Sequence, residues 1–183
     1  MSNGLLTAHG FLPLSGSSLP IKISFFMLRQ LQGGLPLKDQ LRRFGISSPS
    51  RCWCCQDPRE EDPNHVFCSR KGARLVWCHF EINVGEMREV NTVRHMVWFW
   101  WLRRGDNIYL KFLNSVLPSM ICWELWRIKN MRVFEGRRMR VRETVSRIVQ
   151  LLSDILHVQF PSIQCQIPRG KGCFGSWLTD KRG

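Results

Sequence analysis

The sequence predicts an all-α fold of five to seven helices, with one irregular zinc-binding loop and disordered termini. Three observations carry that prediction. Apolar residues recur at three- and four-residue spacing in several successive stretches. Glycine and proline fall between those stretches as punctuation. One polar segment, Arg51 to Cys68, collects four of the eight cysteines and one of the five histidines. Hydrophobic residues make up 44% of the 183, including eight tryptophans and eleven phenylalanines, so a wholly disordered chain is excluded. The length suits one ordinary domain with tails.

Residues 1–18 have no hydrophobic period and read as a flexible arm. They lack a basic lead, a continuous apolar run and a small-residue cleavage site, so no signal peptide is expected. Ile21, Phe25, Leu28 and Gln32 lie at helical spacing, which predicts a helix from about Pro20 to Gln32, ended by Gly33-Gly34. Pro36 opens a second helix in which Leu37, Leu41 and Phe44 share one face and Lys38, Arg42 and Arg43 the other, with Gly45 as its stop. After the polar loop, Val66, Ala73, Val76 and Trp77 suggest a third helix ending near Phe80. A fourth is expected from about Val90 to Arg104. Its run Met96 to Leu102 is far short of the roughly 20 residues that cross a bilayer, and a core helix is the commoner reason for it.

Beyond the Gly105-Asp106-Asn107 turn, Ile108 to Val116 reads as helix, and Pro118 is expected to start or kink the next one. That next helix, Ile121 to Phe134, puts Trp123, Trp126, Asn130 and Phe134 near one face; core packing is the ordinary reading and base stacking the alternative. Gly136 breaks it. Val141, Val145, Ile148, Leu152 and Ile155 then keep a regular spacing, which predicts an amphipathic helix within residues 137–160. Residues 161–183 read as a disordered basic tail, and Cys165 and Cys173 are too isolated to make a second metal site.

The loop carries the chemistry. Cys52 and Cys55 have the C-x2-C spacing by which two thiolates from one turn reach a single tetrahedral ion, and His65 and Cys68 offer a second pair. Between the pairs stand two prolines and four acidic residues with no apolar run, so the loop cannot hold itself by hydrophobic packing. A metal would anchor it. Cys54 competes with both neighbours for the ligand role, and a loop of reduced thiols without an ion is the alternative. With no secretory leader, the expected setting is intracellular, nuclear or cytoplasmic, where clustered Cys and His read as a metal site before disulfides.

Charge adds a second theme. The formal charge is +13, and the pI near 10.1 favours a polyanionic partner. Arg127, Lys129, Arg132, Arg137, Arg138, Arg140 and Arg142 face only Glu135 across the Gly136 turn. Such a cluster suits sequence-tolerant contact with RNA or DNA phosphates, and a solvated face is the alternative.

One order of motifs points further. Leu19 to Phe26 with Arg29 and Gly34-Leu35-Pro36, the Cys52/Cys55/His65 loop, Ala73 to Trp77, and Trp123 to Asn130 with Val133-Phe134 follow one another. Over roughly residues 19–136 that order resembles the zinc-binding domain that follows the polymerase in plant non-LTR (LINE-type) retrotransposon reverse transcriptases and in related ribonuclease H-like proteins. The resemblance implies a structural zinc ion, Zn2+. Two positions depart from it: Arg70 stands where the family usually has its last cysteine ligand, with Cys68 as the substitute, and Leu28 stands where a tryptophan is usual.

The resemblance also implies neighbouring catalytic domains whose carboxylates this sequence does not offer. Tyr109 is the single tyrosine and has no adjacent aspartates, and after Glu143 only Asp154 and Asp180 remain. The expectation is therefore a non-enzymatic, nucleic-acid-associated zinc module, a piece of a retrotransposon polyprotein, with no small-molecule substrate and no membrane. The competing class is a metal-free helical scaffold or a relic without selected activity.

Overall fold

The computed structural model describes residues 19–47, 49, 51–55, 59–81, 92–103 and 105–161. The arm expected over 1–18, the polar stretch 82–91 and the tail from 162 onward, with Cys165 and Cys173, lie outside the described residues. Six α-helices and one π-helical turn make up the described fold, with no strand among the described residues. The helices are α1 Ile21–Leu31, α2 Lys38–Arg43, α3 Lys71–Glu81, α4 Val93–Leu102, α5 Ile108–Glu135 and α6 Val141–Gln159. The π-helical turn spans His65–Ser69 and leads directly into α3.

α1 turns Ile23, Phe26, Met27 and Gln30 inward at the spacing of one helical face, and leaves Ile21 and Phe25 exposed. Gly33, at φ 72°, then takes the left-handed conformation that closes the helix, and Arg29 donates to the Gly34 carbonyl at 3.0 Å. α2 is a single short turn and a half. Its expected apolar face is corrected at both ends: Phe44 is exposed because the helix stops at Arg43 and Gly45, at φ 76°, turns the chain away. Lys38 is buried instead of solvated, because its ammonium finds the Arg51 carbonyl at 2.6 Å.

α5 is the axis of the domain. It touches α1, α3, α4, α6 and the π-helical turn, and it buries residues on every side from Leu113 to Leu125. That all-round apolarity explains a second correction. Pro118 neither starts nor divides a helix; it sits inside one unbroken helix, capped at its start by Asn107, whose side-chain oxygen accepts from the Leu110 amide at 2.8 Å. An interior proline costs about 3 kcal/mol. Burial of each neighbouring Leu, Met or Ile side chain stabilises by about 1.5–3 kcal/mol, and Leu117, Met120 and Ile121 are all fully buried, so packing outweighs the lost hydrogen bond.

The remaining helices close around this axis. α4 contributes Val93, Met96, Val97 and Trp100, and its N-cap Thr92 accepts from the His95 amide. Gly136, at φ 68°, reverses the chain at the end of α5, and α6 returns along α5 and α3 with Val145, Ile148, Leu152, Ile155 and Leu156 inward. α6 therefore packs on the same core as the helices before it. Trp123 and Trp126 are half-buried and pack against that core, where Phe26, Phe67, Trp123 and Trp126 stack edge-on or tilted at 5.5–6.4 Å. Phe134, expected on the same face, is exposed. No helix among the described residues is long and apolar enough to cross a membrane.

Candidate metal centre and the basic turn

The loop before the π-helical turn is held by polar contacts on three sides. Its two limbs pair across the Arg51 and Glu60 bridge, and the Cys52 amide donates to the Arg59 carbonyl at 2.8 Å. α2 grips one flank through Lys38 on the Arg51 carbonyl and an Arg42–Glu60 ion pair at 2.6 Å. α5 grips the other. There Lys129 meets Glu61 at 3.1 Å, with both side chains almost wholly buried, and the Lys129 ammonium lies 4.8 Å from the Trp126 ring centre. The hydrophobic anchor missing from the loop is replaced by charge.

Three donor atoms converge inside this frame. Cys52, Cys55 and His65 each bring one ligand atom to within 4.8 Å of the others. The π-helical turn aims the imidazole: the Arg70 amide reaches back to the His65 carbonyl at 3.1 Å, and the His65 amide is held by the Asp62 carboxylate at 3.0 Å. The Ser69 hydroxyl meets Nδ1 at 3.3 Å, which leaves Nε2 facing the Cys55 sulfur at 3.0 Å. An outer partner on one ring nitrogen is the usual way a ligating histidine is oriented. Around a tetrahedral zinc ion, sulfur and nitrogen donors stand about 3.5–3.8 Å apart. The three atoms need only small shifts to reach that spacing, so the donor set fits zinc.

Two other cysteines behave differently. Cys54 donates a hydrogen bond to Cys52, which favours the thiolate on Cys52, pushed down to about 3, and keeps the proton on Cys54. Cys68, the expected fourth ligand, is not among the converging donors. It is buried in the apolar cluster with Phe67 and Val76, and desolvation pushes its thiol up to about 12, with the Asp62 carboxylate adding to the effect. The turn explains this placement, since one side of it carries His65 outward to the loop while Val66, Phe67 and Cys68 face the core. Arg70, at the position where a cysteine was expected by resemblance, is buried; it donates to the Leu125 carbonyl at 3.2 Å, and its charge acts on Cys54 to favour the thiolate.

Residues 15–77 match the family of zinc-binding domains in reverse transcriptase. The matched stretch holds all three converging donors together with Cys54, Cys68 and Arg70, so the family match and the geometric cluster coincide. It ends at Trp77, whose indole donates to the Phe67 carbonyl at 2.8 Å and ties α3 to the π-helical turn. The Trp123 to Phe134 motifs lie beyond it. The matched family is a zinc-binding accessory domain and not a polymerase or ribonuclease H domain. No match was found among curated proteins or among solved structures.

The seven basic residues singled out around Gly136 fall into three groups. Lys129 is buried in its pair with Glu61, and Arg127 is half-buried, with two nitrogens on the Glu124 carboxylate at 2.8–3.1 Å. Neither is free to meet a phosphate, because each compensates a buried carboxylate. Arg137, Arg138, Arg140 and Arg142 are exposed; Arg137 pairs with Glu135 and Arg140 with Glu143 at the surface, both at 3.0 Å. Arg132 joins the two regions, donating Nε to the Trp53 carbonyl at 3.2 Å and Nη1 to the Gly136 carbonyl at 2.6 Å. Sequence spacing missed this link, because Trp53 and Arg132 are 79 residues apart in the chain.

Proposed function

We propose that this protein is a non-enzymatic zinc module that contacts nucleic acid through the Gly136 turn. The observation that carries the reading is the convergence of Cys52, Cys55 and His65 within the stretch that matches the reverse-transcriptase zinc-binding family. The ion is structural in this reading: it closes a loop that has no apolar core, with Cys52 and Cys55 as thiolates and His65 through Nε2. Cys54, protonated and hydrogen-bonded to Cys52, lies outside the converging set, so three side chains of this loop hold the ion in this reading. The exposed Arg137, Arg138, Arg140 and Arg142 provide phosphate contacts that read no sequence. Derivation from a plant LINE-type polyprotein belongs to the same proposal and is supported by the order of motifs.

Metal analysis of protein purified under reducing conditions tests the site. About one zinc per chain is expected; Cys52→Ser and His65→Ala lose it, and Cys68→Ser keeps it. Zero metal in well-folded protein overturns the module and returns the metal-free scaffold. Binding to RNA and DNA, measured as a function of salt, tests the surface. The Arg137→Ala, Arg138→Ala, Arg140→Ala triple variant should flatten the slope of log affinity against log salt by close to one unit per lost phosphate contact.

A further inference from the structure

We infer that Trp53 is a stacking platform for an unpaired base, so that the nucleic acid this surface takes is single-stranded. The inference rests on the nucleic-acid reading above and adds the class of ligand. Among the described residues Trp53 is the one tryptophan more than half exposed, at 52%; the others are buried or half-buried. About half of a large apolar ring is thus left in water on a polar loop. It is also held in place. The Lys38 ammonium lies 4.9 Å from the ring centre and is itself fixed on the Arg51 carbonyl, and Arg132 holds the Trp53 carbonyl.

The surroundings match a nucleotide strand. Lys38 lies over the indole and puts positive charge against the ring, while about half of the side chain is open to a base. Through Arg132 the loop is joined to the Gly136 turn, so the exposed Arg137 and Arg138 follow on from the indole as candidates for neighbouring phosphates. In a duplex the base faces are covered by their neighbours. A strand with unpaired bases can offer one base to the ring while its backbone meets the cations. Because every base has a face to stack, the preference is for strandedness and not for sequence.

Fluorescence anisotropy with the full chain decides it, using a labelled oligothymidylate of about 12 nucleotides and a hairpin duplex of equal charge. The intact protein should bind the single strand more tightly, and Trp53→Ala should weaken that binding roughly 5- to 100-fold while leaving duplex affinity unchanged. Trp53→Phe should keep most of the preference, since a phenyl ring still stacks. Zinc content and circular dichroism of both variants are measured alongside. Equal affinity of the intact protein for the two probes overturns the inference and leaves the phosphate-binding surface standing. So does a Trp53→Ala variant that loses zinc and binds both probes equally poorly, while Trp53→Phe binds normally but without preference. Absence of salt-dependent binding to either probe overturns the nucleic-acid reading itself, and this inference with it.

Discussion

Along α5 the residues from Leu113 to Leu125 are held by apolar neighbours, whereas the described loop residues 51–55 and 59–61, which lean on the same helix, are held by charges, amides and thiols. The two regions meet at Lys129, Arg132 and Trp126, where the helix leaves the core. The helical part gains its stability from area removed from water, a quantity spread over many side chains. The loop depends on a few directed interactions, each costly to break singly because a buried charge or a metal ligand is left without its partner. Perturbations of the two regions should therefore differ in kind.

The largest effect is expected in the apolar part. Trp77→Ala removes a fully buried indole that packs 6.4 Å from Trp100 and ties α3 to the Phe67 carbonyl. Loss of about 3–5 kcal/mol is expected, read as a lowered urea midpoint with an unchanged slope. A loss below about 1 kcal/mol, the scale of an ordinary surface change, would show that the site collapses freely and that α3 is not part of the cooperative core.

How far the sequence reveals each region follows from the same contrast. Apolar spacing revealed the helices, because burial is a property of single residues repeated along one face. It mispredicted a separate helix starting at Pro118, where one helix runs through because the surrounding side chains are buried. It also could not place Phe44, whose face is decided by where Gly45 turns the chain. In the loop, the C-x2-C pair and His65 were legible because their spacing is local. Cys68 and Arg70 were not: the π-helical turn sends one side chain inward where an ordinary helical reading would send it toward the loop. The inward pairing of Arg127 and Lys129 was equally hidden, because a charge count does not tell which cations answer a buried carboxylate.

An intermediate effect is expected where the regions meet. Lys129→Ala leaves Glu61, itself wholly buried, without its cation. Breaking one partner of a buried pair costs roughly 3–5 kcal/mol in well-enclosed cases, and here the polar loop can shift to admit water, so a loss nearer about 3 kcal/mol is expected. Replacing both partners, Glu61→Leu with Lys129→Met, should recover most of it. A single variant as stable as the intact protein would mean that the metal alone fixes the loop to α5.

The smallest effect on overall stability, and the sharpest on the boundary, is expected from thiol labelling with and without a zinc chelator. Cys78 is exposed and should react at once in folded protein at pH 8. Cys52 and Cys55 should become reactive when the chelator removes the ion, while the helical content stays constant by circular dichroism. Cys68 and Cys122 should stay protected through that step, since burial keeps both thiols protonated and closed to reagent. The sign of the linked pH effect is fixed: folded Cys68 holds its proton up to about 12 against 9.0 for an ordinary thiol. Its contribution to stability is therefore present below pH 9.0 and is lost as the pH rises from there toward about 12. If the chelator instead uncovers Cys68 together with Cys52 and Cys55 in a protein whose helices remain intact, Cys68 is a ligand, and the line between core and loop passes on its other side.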